Sequence, residues 1–225
     1  MKKILWMAVV LAGLAMVPVP DAPPAPSVPE DGWELKKNRD GIKVYVRESP
    51  GSEIKELRFS TQVRASLHTI AAVLTHVEGF DDWVYASVAS KTVKQVSPTE
   101  VYYYAELDFP WPFDNRDVVL HSKIWQDART NALHSQAWSK HWMVPEQAGK
   151  VRIRKTELHW TFTPLGNGNI QVEYYLCSDP GGSIPAWMVN LAADQGPFET
   201  MVKFKSMLAS DKYRHKKFPF VKEGK

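Results

Sequence analysis

Phe109-Pro-Trp-Pro-Phe-Asp-Asn-Arg-Asp-Val-Val119 is the segment that says most about the fold, because an aromatic loop runs directly into a strand that begins with charged residues. Proline fixes φ and has no N–H, so Pro110 and Pro112 hold Trp111 and Phe113 on a stiff turn and keep them out of a sheet. Such a loop needs an apolar partner. Two interpretations are open: the loop fills the core of the protein, or it contacts an apolar surface such as a membrane.

The sequence on both sides of this segment predicts an α+β domain with a long antiparallel sheet. Turn residues such as Asp40-Gly41 and Gly166-Asn-Gly168 separate stretches of β-forming residues. Ser66 is placed to cap a helix that runs to about Val77. After Trp83, strands are predicted at 87–96, 101–109, 116–125, 133–142, 151–162 and 170–177.

A long helix is predicted at the C-terminal end of the domain, from Ile184 to Leu208. Ser183 is a candidate N-cap for this helix. Pro197 lies within the apolar pattern, where a proline kinks or splits a helix. The spacing predicts an apolar face that includes Trp187, Met188 and Leu191.

Two motifs of this chain resemble the START family of lipid-binding domains. The segment 109–119 resembles the Pro-x-Pro-x-x-Asn-Arg-Asp motif of that family. Gly182-Ser-Ile-Pro-Ala-Trp-Met-Val-Asn190 resembles the Gly-x-(Ile/Leu)-Pro-x-Trp motif that opens its C-terminal helix. The resemblance covers residues 31–213. It implies a helix-grip fold, in which a curved antiparallel sheet wraps around a long C-terminal helix and encloses an apolar cavity for one lipid or sterol.

Arg116 is the charged residue most directly tied to this cavity. It alternates with Val118 and Leu120, so its side chain is expected on the inner face of the strand. A buried guanidinium requires a carboxylate partner, and Glu106 or Asp108 of the preceding strand is available. The loop permits more than one register, so the sequence leaves open which acid pairs with Arg116. It also leaves open whether the pair meets a ligand or only closes the hairpin.

The predicted site combines these residues with the helix face. Under the START resemblance the helix is the lid of the cavity, with Gly181-Gly182 and Gly196-Pro197 as hinges. Trp111 and Phe113 are the predicted membrane-contact residues. The predicted ligand-binding residues are Arg116, Glu106, Tyr104, Trp187, Met188 and Leu191.

The two ends of the chain are predicted to lie outside the domain. Residues 1–17 have the pattern of a signal peptide, in which Lys2 and Lys3 precede 14 uncharged residues, Ile4 to Val17. That run is shorter than the ~20 residues that span a bilayer. Residues 18–30 are a proline-rich linker, and residues 214–225 are a basic tail. The expectation is an exported protein, periplasmic or secreted.

Composition narrows the possible partners. Without Lys2 and Lys3 the chain has 26 basic and 25 acidic residues, since two of the 28 basic residues are removed. A nucleic-acid-binding protein normally has a strong basic excess, so nucleic acid is not expected as a partner. The expected partners are a lipid or sterol-like molecule and, transiently, a membrane surface. The protein is expected to act as a monomer.

The patterns typical of catalysis are weak in this sequence. The seven histidines form no metal-binding spacing, and no nucleophile elbow, phosphate loop or dinucleotide motif is present. We therefore predict no metal, no cofactor and no catalytic residue. The function predicted is non-catalytic binding, and possibly transfer, of a lipid. The alternative is an enzyme of the same superfamily, cyclase-like or hydrolase-like, that uses Arg116, a nearby acid and Tyr104 in the cavity.

Overall fold

A computed structural model describes residues 32–223 of the chain. The predicted signal peptide and the linker, residues 1–30, lie outside the described residues. The described part is built on one sheet of 10 strands in the order β1-β2-β3-β10-β9-β7-β6-β5-β4, with β8 added beside β6. The strands are β1 (Glu34–Arg39), β2 (Ile42–Ser49), β3 (Ser52–Arg64), β4 (Ser87–Ser97), β5 (Glu100–Leu107), β6 (Asn115–Gln126), β7 (Leu133–Ser139), β8 (Lys150–Arg152), β9 (Lys155–Gly166) and β10 (Asn169–Asp179).

The predicted curved antiparallel sheet with a C-terminal helix is confirmed. Every strand pair of the main sheet is antiparallel, and the short β8 runs parallel to β6. Within residues 32–223, four α-helices accompany the sheet. They are α1 (Leu67–Thr75), α2 (Ala186–Ala192), α3 (Gln195–Met207) and α4 (Asp211–Arg214).

Local sequence patterns explain where several elements begin and end. Asp40 and Gly41 have φ values of 56° and 71°, the pair of positive angles that a two-residue hairpin turn requires. The side chain of Ser66 accepts a hydrogen bond from the N–H of Thr69 at 3.0 Å and so caps α1. Both predictions are confirmed.

The predicted long C-terminal helix is divided in two, and the break lies before Pro197. Pro197 stands in the first turn of α3, where its missing N–H costs little. Asp194 directly precedes α3, and its carbonyl accepts a hydrogen bond from the N–H of Phe198 at 3.1 Å. Its carboxylate is buried and pairs with Lys37 at 2.5 Å.

Helix α3 packs onto the inner, concave face of the sheet. Phe204 and Met201 are fully buried, and the ring of Phe204 lies 5.1 Å from Trp160 and 5.9 Å from Phe162. Burial of each such side chain stabilises the fold by roughly 1.5–3 kcal/mol. These contacts hold α3 on the sheet, whereas α2 lies against β3.

The outer, convex face of the sheet contains a buried ion pair. Arg152 donates to both carboxylate oxygens of Asp117, at 2.8 and 2.9 Å. It also donates to the carbonyl oxygens of His141, Val144 and Pro145 at 2.6, 2.8 and 3.0 Å. The segment 140–150 is therefore held against the convex face.

The described part of the predicted basic tail, residues 214–223, packs on the domain. Val221 is buried, and the carboxylate of Glu223 accepts from the N–H groups of Leu67 and His68 at 3.1 and 3.2 Å. Gln126, at the end of β6, bonds to the backbone of Lys222. The tail thus lies at the far end of β6 from Asn115, about 35 Å away at the usual rise per residue.

Candidate ligand-binding cavity

An apolar cavity of about 580 Å³ lies between the concave face of the sheet and helices α2 and α3. Its volume falls within the range of about 300–1,000 Å³ that is usual for small-molecule sites. Asp108 and Pro110 are exposed residues of its wall, so the cavity reaches the surface beside the 109–114 loop. We call this opening the mouth.

Alternation along the strands decides which residues line the cavity. On β5 and β6 the residues Tyr103, Ala105, Leu107, Val118, Leu120 and Ser122 face it. The intervening residues face the convex side, because successive side chains of a strand point to opposite faces. The register pairs Leu107 with Arg116 and Glu106 with Asp117.

The roof of the cavity comes from the C-terminal segment. Ile184, which precedes α2, lines the cavity together with Met188 and Val189 of the helix. The predicted lining by Trp187 and Leu191 is wrong: neither belongs to the wall, and they are 65% and 72% exposed. Trp187 and Leu191 lie beside Met188 on the surface of α2 and face away from the cavity, because successive residues of a helix are rotated by about 100° about its axis.

Arg116 is buried, with 2% of its surface exposed, but its predicted pairing with Glu106 or Asp108 is wrong. Its guanidinium donates to the carbonyl oxygens of Pro180 at 3.4 Å and Gly181 at 3.3 Å, and to that of Asp114. Its charge lies 4.4 Å from the ring of Phe109 and 6.0 Å from that of Phe113. Burial lowers the pKa of this arginine from its ordinary value. Arg116 therefore joins the loop at the mouth to the segment that leads into α2.

Glu106 and Tyr104, also predicted as ligand-binding residues, lie on the convex face. Glu106 pairs with Lys150 and accepts from the amide of Asn115 at 3.1 Å. The hydrogen bond from Lys150, followed by that from Asn115, lowers the pKa of Glu106. Tyr104 accepts from Lys150 at 3.4 Å. The structure does not bring these two residues to the cavity.

The two predicted membrane-contact residues have different environments. Trp111 is 92% exposed at the tip of the loop. Phe113 is half-buried and forms part of the cavity wall at the mouth. The loop thus presents one aromatic ring to the exterior and one to the cavity.

Tyr103 and Tyr174 are cavity residues that the sequence reasoning missed. Both are buried in the wall, and neither hydroxyl has a hydrogen-bond partner among residues 32–223. Burial raises the pKa of both tyrosines, so both hydroxyls stay protonated and neutral. Strand alternation from a correct β5–β6 register would have placed Tyr103 here.

The described residues hold no group of three or more His, Cys, Asp or Glu side chains arranged for a metal ion. Among residues 32–223 there is also no helix with the length and apolar character needed to cross a bilayer.

A curved antiparallel sheet that grips a C-terminal helix over an apolar cavity defines the helix-grip class of ligand-binding domains. The family model of the START domain matches residues 26–213, and the chain belongs to that family.

Individual relatives agree with this assignment. An uncharacterized protein of Pseudomonas aeruginosa is 33% identical over 177 residues, which are 78% of this chain and 86% of that protein. The phosphatidylcholine transfer protein of Bos taurus is 23% identical over 179 residues, or 76% of this chain and 81% of that protein.

Solved structures give the same result. The STAR-related lipid transfer protein of Xanthomonas axonopodis superposes with a TM-score of 0.75 at 34% identity, covering 80% of this chain and 100% of that one. Human STARD10 superposes with a TM-score of 0.72 at 20% identity, covering 81% of this chain and 75% of that one. At that identity the second likeness concerns the fold alone.

Proposed function

We propose that this domain binds one lipid in its cavity and transfers it between membranes. The observation that carries the proposal is the cavity of about 580 Å³ enclosed by an apolar sheet face and a short helix. Membership of the START family and the lipid transfer activity named for the Xanthomonas relative support it.

Helix α2 is the element proposed to move when a lipid enters. Gly181 and Gly182, which precede it, have φ values of 66° and 73°, and the helix ends at the break before α3. One side chain closes this lid: Asn190 accepts from the N–H of Lys55 at 2.9 Å and donates to the carbonyl of Glu53 at 2.8 Å. Two hydrogen bonds are a small barrier to opening compared with the packing of α3.

We propose that the mouth docks on a membrane. Trp111, Trp187 and Leu191 are large apolar side chains, exposed on the two segments that border the mouth. Exposed aromatic and aliphatic residues of this kind favour the boundary between headgroups and acyl chains. The C-terminal tail is held at the other end of β6, so the proposed docking depends on these apolar residues.

The enzyme alternative has less support. Tyr104 and Glu106 lie on the convex face, and Arg116 is engaged by three backbone carbonyls. Among the lining residues the acidic and basic side chains are Lys55, which pairs with Glu48 at 2.8 Å, and Asp108 at the mouth. We propose a non-catalytic, monomeric domain that acts after export, as residues 1–17 suggest.

The test compares two substitutions on one strand. Ala137 of β7 lines the cavity, whereas Gln136 faces the convex side. Ala137→Phe is expected to abolish lipid uptake from vesicles, measured as bound mass by native mass spectrometry, and Gln136→Phe is expected to leave it intact. Lipid uptake that is equal in both variants, or a wild-type protein that takes up no lipid, would refute the proposal.

A further inference from the structure

The wall of the cavity carries hydrogen-bonding groups that have no partner in the described part of the chain. The hydroxyls of Tyr103 and Tyr174 make no hydrogen bond within residues 32–223, although only 7% of each residue is exposed. Trp83 also lines the cavity, and its Nε1 is buried without a partner in the same range. A hydrogen bond to one of the two tyrosine hydroxyls contributes about 0.5–1.5 kcal/mol, so a ligand group that makes such a bond would bind with that advantage.

These three residues belong to one aromatic cluster. The ring of Phe80 lies 5.3 Å from Tyr103 and 5.5 Å from Trp83. Trp160 lies 6.3 Å from Trp83 and stacks on Tyr174 at 4.0 Å. Tyr103 and Tyr174 both line the same cavity. We call Trp83, Tyr103 and Tyr174 the polar wall.

The polar wall contains no charge to balance an ion. Both tyrosines are neutral, and Ser122 and Ser135, which line the same cavity, add only further hydroxyls. The acidic and basic groups of the lining are Lys55, which is paired, and the exposed Asp108. An ionised headgroup placed among the aromatic rings would lose its hydration without a counter-charge, at a cost of several kcal/mol.

We propose that the ligand is a neutral lipid that carries a hydroxyl or carbonyl group and inserts that group into the cavity, against Tyr103 and Tyr174. This inference rests on the proposed lipid-binding function and specifies the class of lipid. A long-chain or sterol-like alcohol fits this description. A fatty acid carboxylate, or a phospholipid bound with its headgroup inside, does not.

The experiment uses three probes with one hydrocarbon chain and different ends: hexadecanol, hexadecane and hexadecanoate. Each competes with a fluorescent alkyl probe bound to the full-length protein at about pH 8, where the carboxylate is ionised. The expected order of affinity, from the tightest to the weakest, is hexadecanol, hexadecane and hexadecanoate. The alcohol should bind about tenfold more tightly than the alkane.

The double variant Tyr103→Phe, Tyr174→Phe is expected to lose this preference while it still binds hexadecane, which also demonstrates that it folds. Tyr102→Phe is the matched control, because Tyr102 stacks on His121 at 4.1 Å on the convex face. This control variant should keep the wild-type preference for hexadecanol over hexadecane.

Two outcomes would overturn the inference: carboxylate bound as tightly as the alcohol, or an alcohol preference that survives in the double variant. Failure of all three probes to bind the wild type would instead refute the proposed lipid-binding function. The two failures are therefore distinguishable.

Discussion

Arg116 donates a hydrogen bond to the carbonyl oxygen of Gly181 at 3.3 Å, although 65 residues separate them in the sequence. The bond joins the loop before β6 to the segment that carries α2. Both borders of the cavity mouth therefore depend on one guanidinium, which donates to backbone carbonyls of both segments.

Arg116→Ala should destabilise the fold, because it removes the donor to three backbone carbonyls, including that of the buried Pro180. The expected loss in the free energy of unfolding is roughly 3 kcal/mol, measured by chemical denaturation. Arg154→Ala removes an exposed ion pair with Glu146 and should cost less than about 1 kcal/mol. Equal losses in the two variants would contradict the assigned role of Arg116.

Gly182 is expected to tolerate no side chain. A Cβ there would stand 3.2 Å from Nη2 of Arg116, at a φ of 73°. Gly51 has the same φ, with nothing within 4 Å of an added Cβ. Gly51→Ala should cost about 1 kcal/mol for the left-handed backbone. Gly182→Ala should cost more in the same denaturation experiment, and a smaller cost would argue against a tight contact with Arg116.

Asn190→Ala should make the lid easier to open, because it removes the two hydrogen bonds that join α2 to β3. We expect faster hydrogen exchange in residues 183–194 and faster lipid transfer between vesicles. Asn38→Ala, on the exposed strand β1, is the control and should change neither rate. An unchanged exchange rate in the Asn190 variant would exclude this residue as a latch.

Trp111→Ala should slow lipid transfer while the amount of lipid bound stays the same, because the ring is proposed to contact the membrane and lies outside the cavity. Trp142→Ala removes another exposed tryptophan that is absent from the cavity wall. It should transfer lipid at the wild-type rate. A Trp111 variant with full transfer activity would refute the proposed docking surface.

His159 makes the stability of the domain sensitive to acid. Burial, together with the nearby His134, lowers the pKa of His159 to about 4. In the unfolded chain the pKa is about 6.5, so the unfolded state takes up the proton first. The free energy of unfolding should therefore fall as the pH decreases from about 6.5 to about 4.

The check is denaturation at several pH values in that range. His159→Gln should lose less stability on acidification than the wild type, by up to roughly 3 kcal/mol. His215→Gln, at an exposed position, should follow the wild-type curve. If the free energy of unfolding falls equally with pH in the wild type and in the His159 variant, His159 is not the cause of the acid sensitivity.

Side-chain periodicity predicted the sheet and the inner position of Arg116, because both depend on residues close together in the sequence. The partners of Arg116 could not be predicted, since backbone carbonyls are present at every residue and carry no sequence pattern. The error at Glu106 and Tyr104 is one of register. A shift of one residue between β5 and β6 moves every side chain of a strand to the other face.

The same limit applies to α2. The pattern correctly predicts apolar residues on a helix that breaks near Pro197, but it places Trp187 and Leu191 on the inner face, where the structure does not have them. Asp194, at the break before α3, pairs with Lys37, which lies far away in the sequence. The periodicity of a helix in the sequence cannot predict a tertiary contact of this kind.

Tyr103 and Tyr104 are adjacent, yet one faces the cavity and the other the convex side of the sheet. Mutations can therefore change the ligand preference and the convex face of the sheet separately, because the two sets of side chains occupy alternate positions of β5. A single inserted or deleted codon between positions 100 and 107 would exchange the two sets of side chains. Lineages descended from this protein should consequently keep the length of β5 fixed while its side chains diverge.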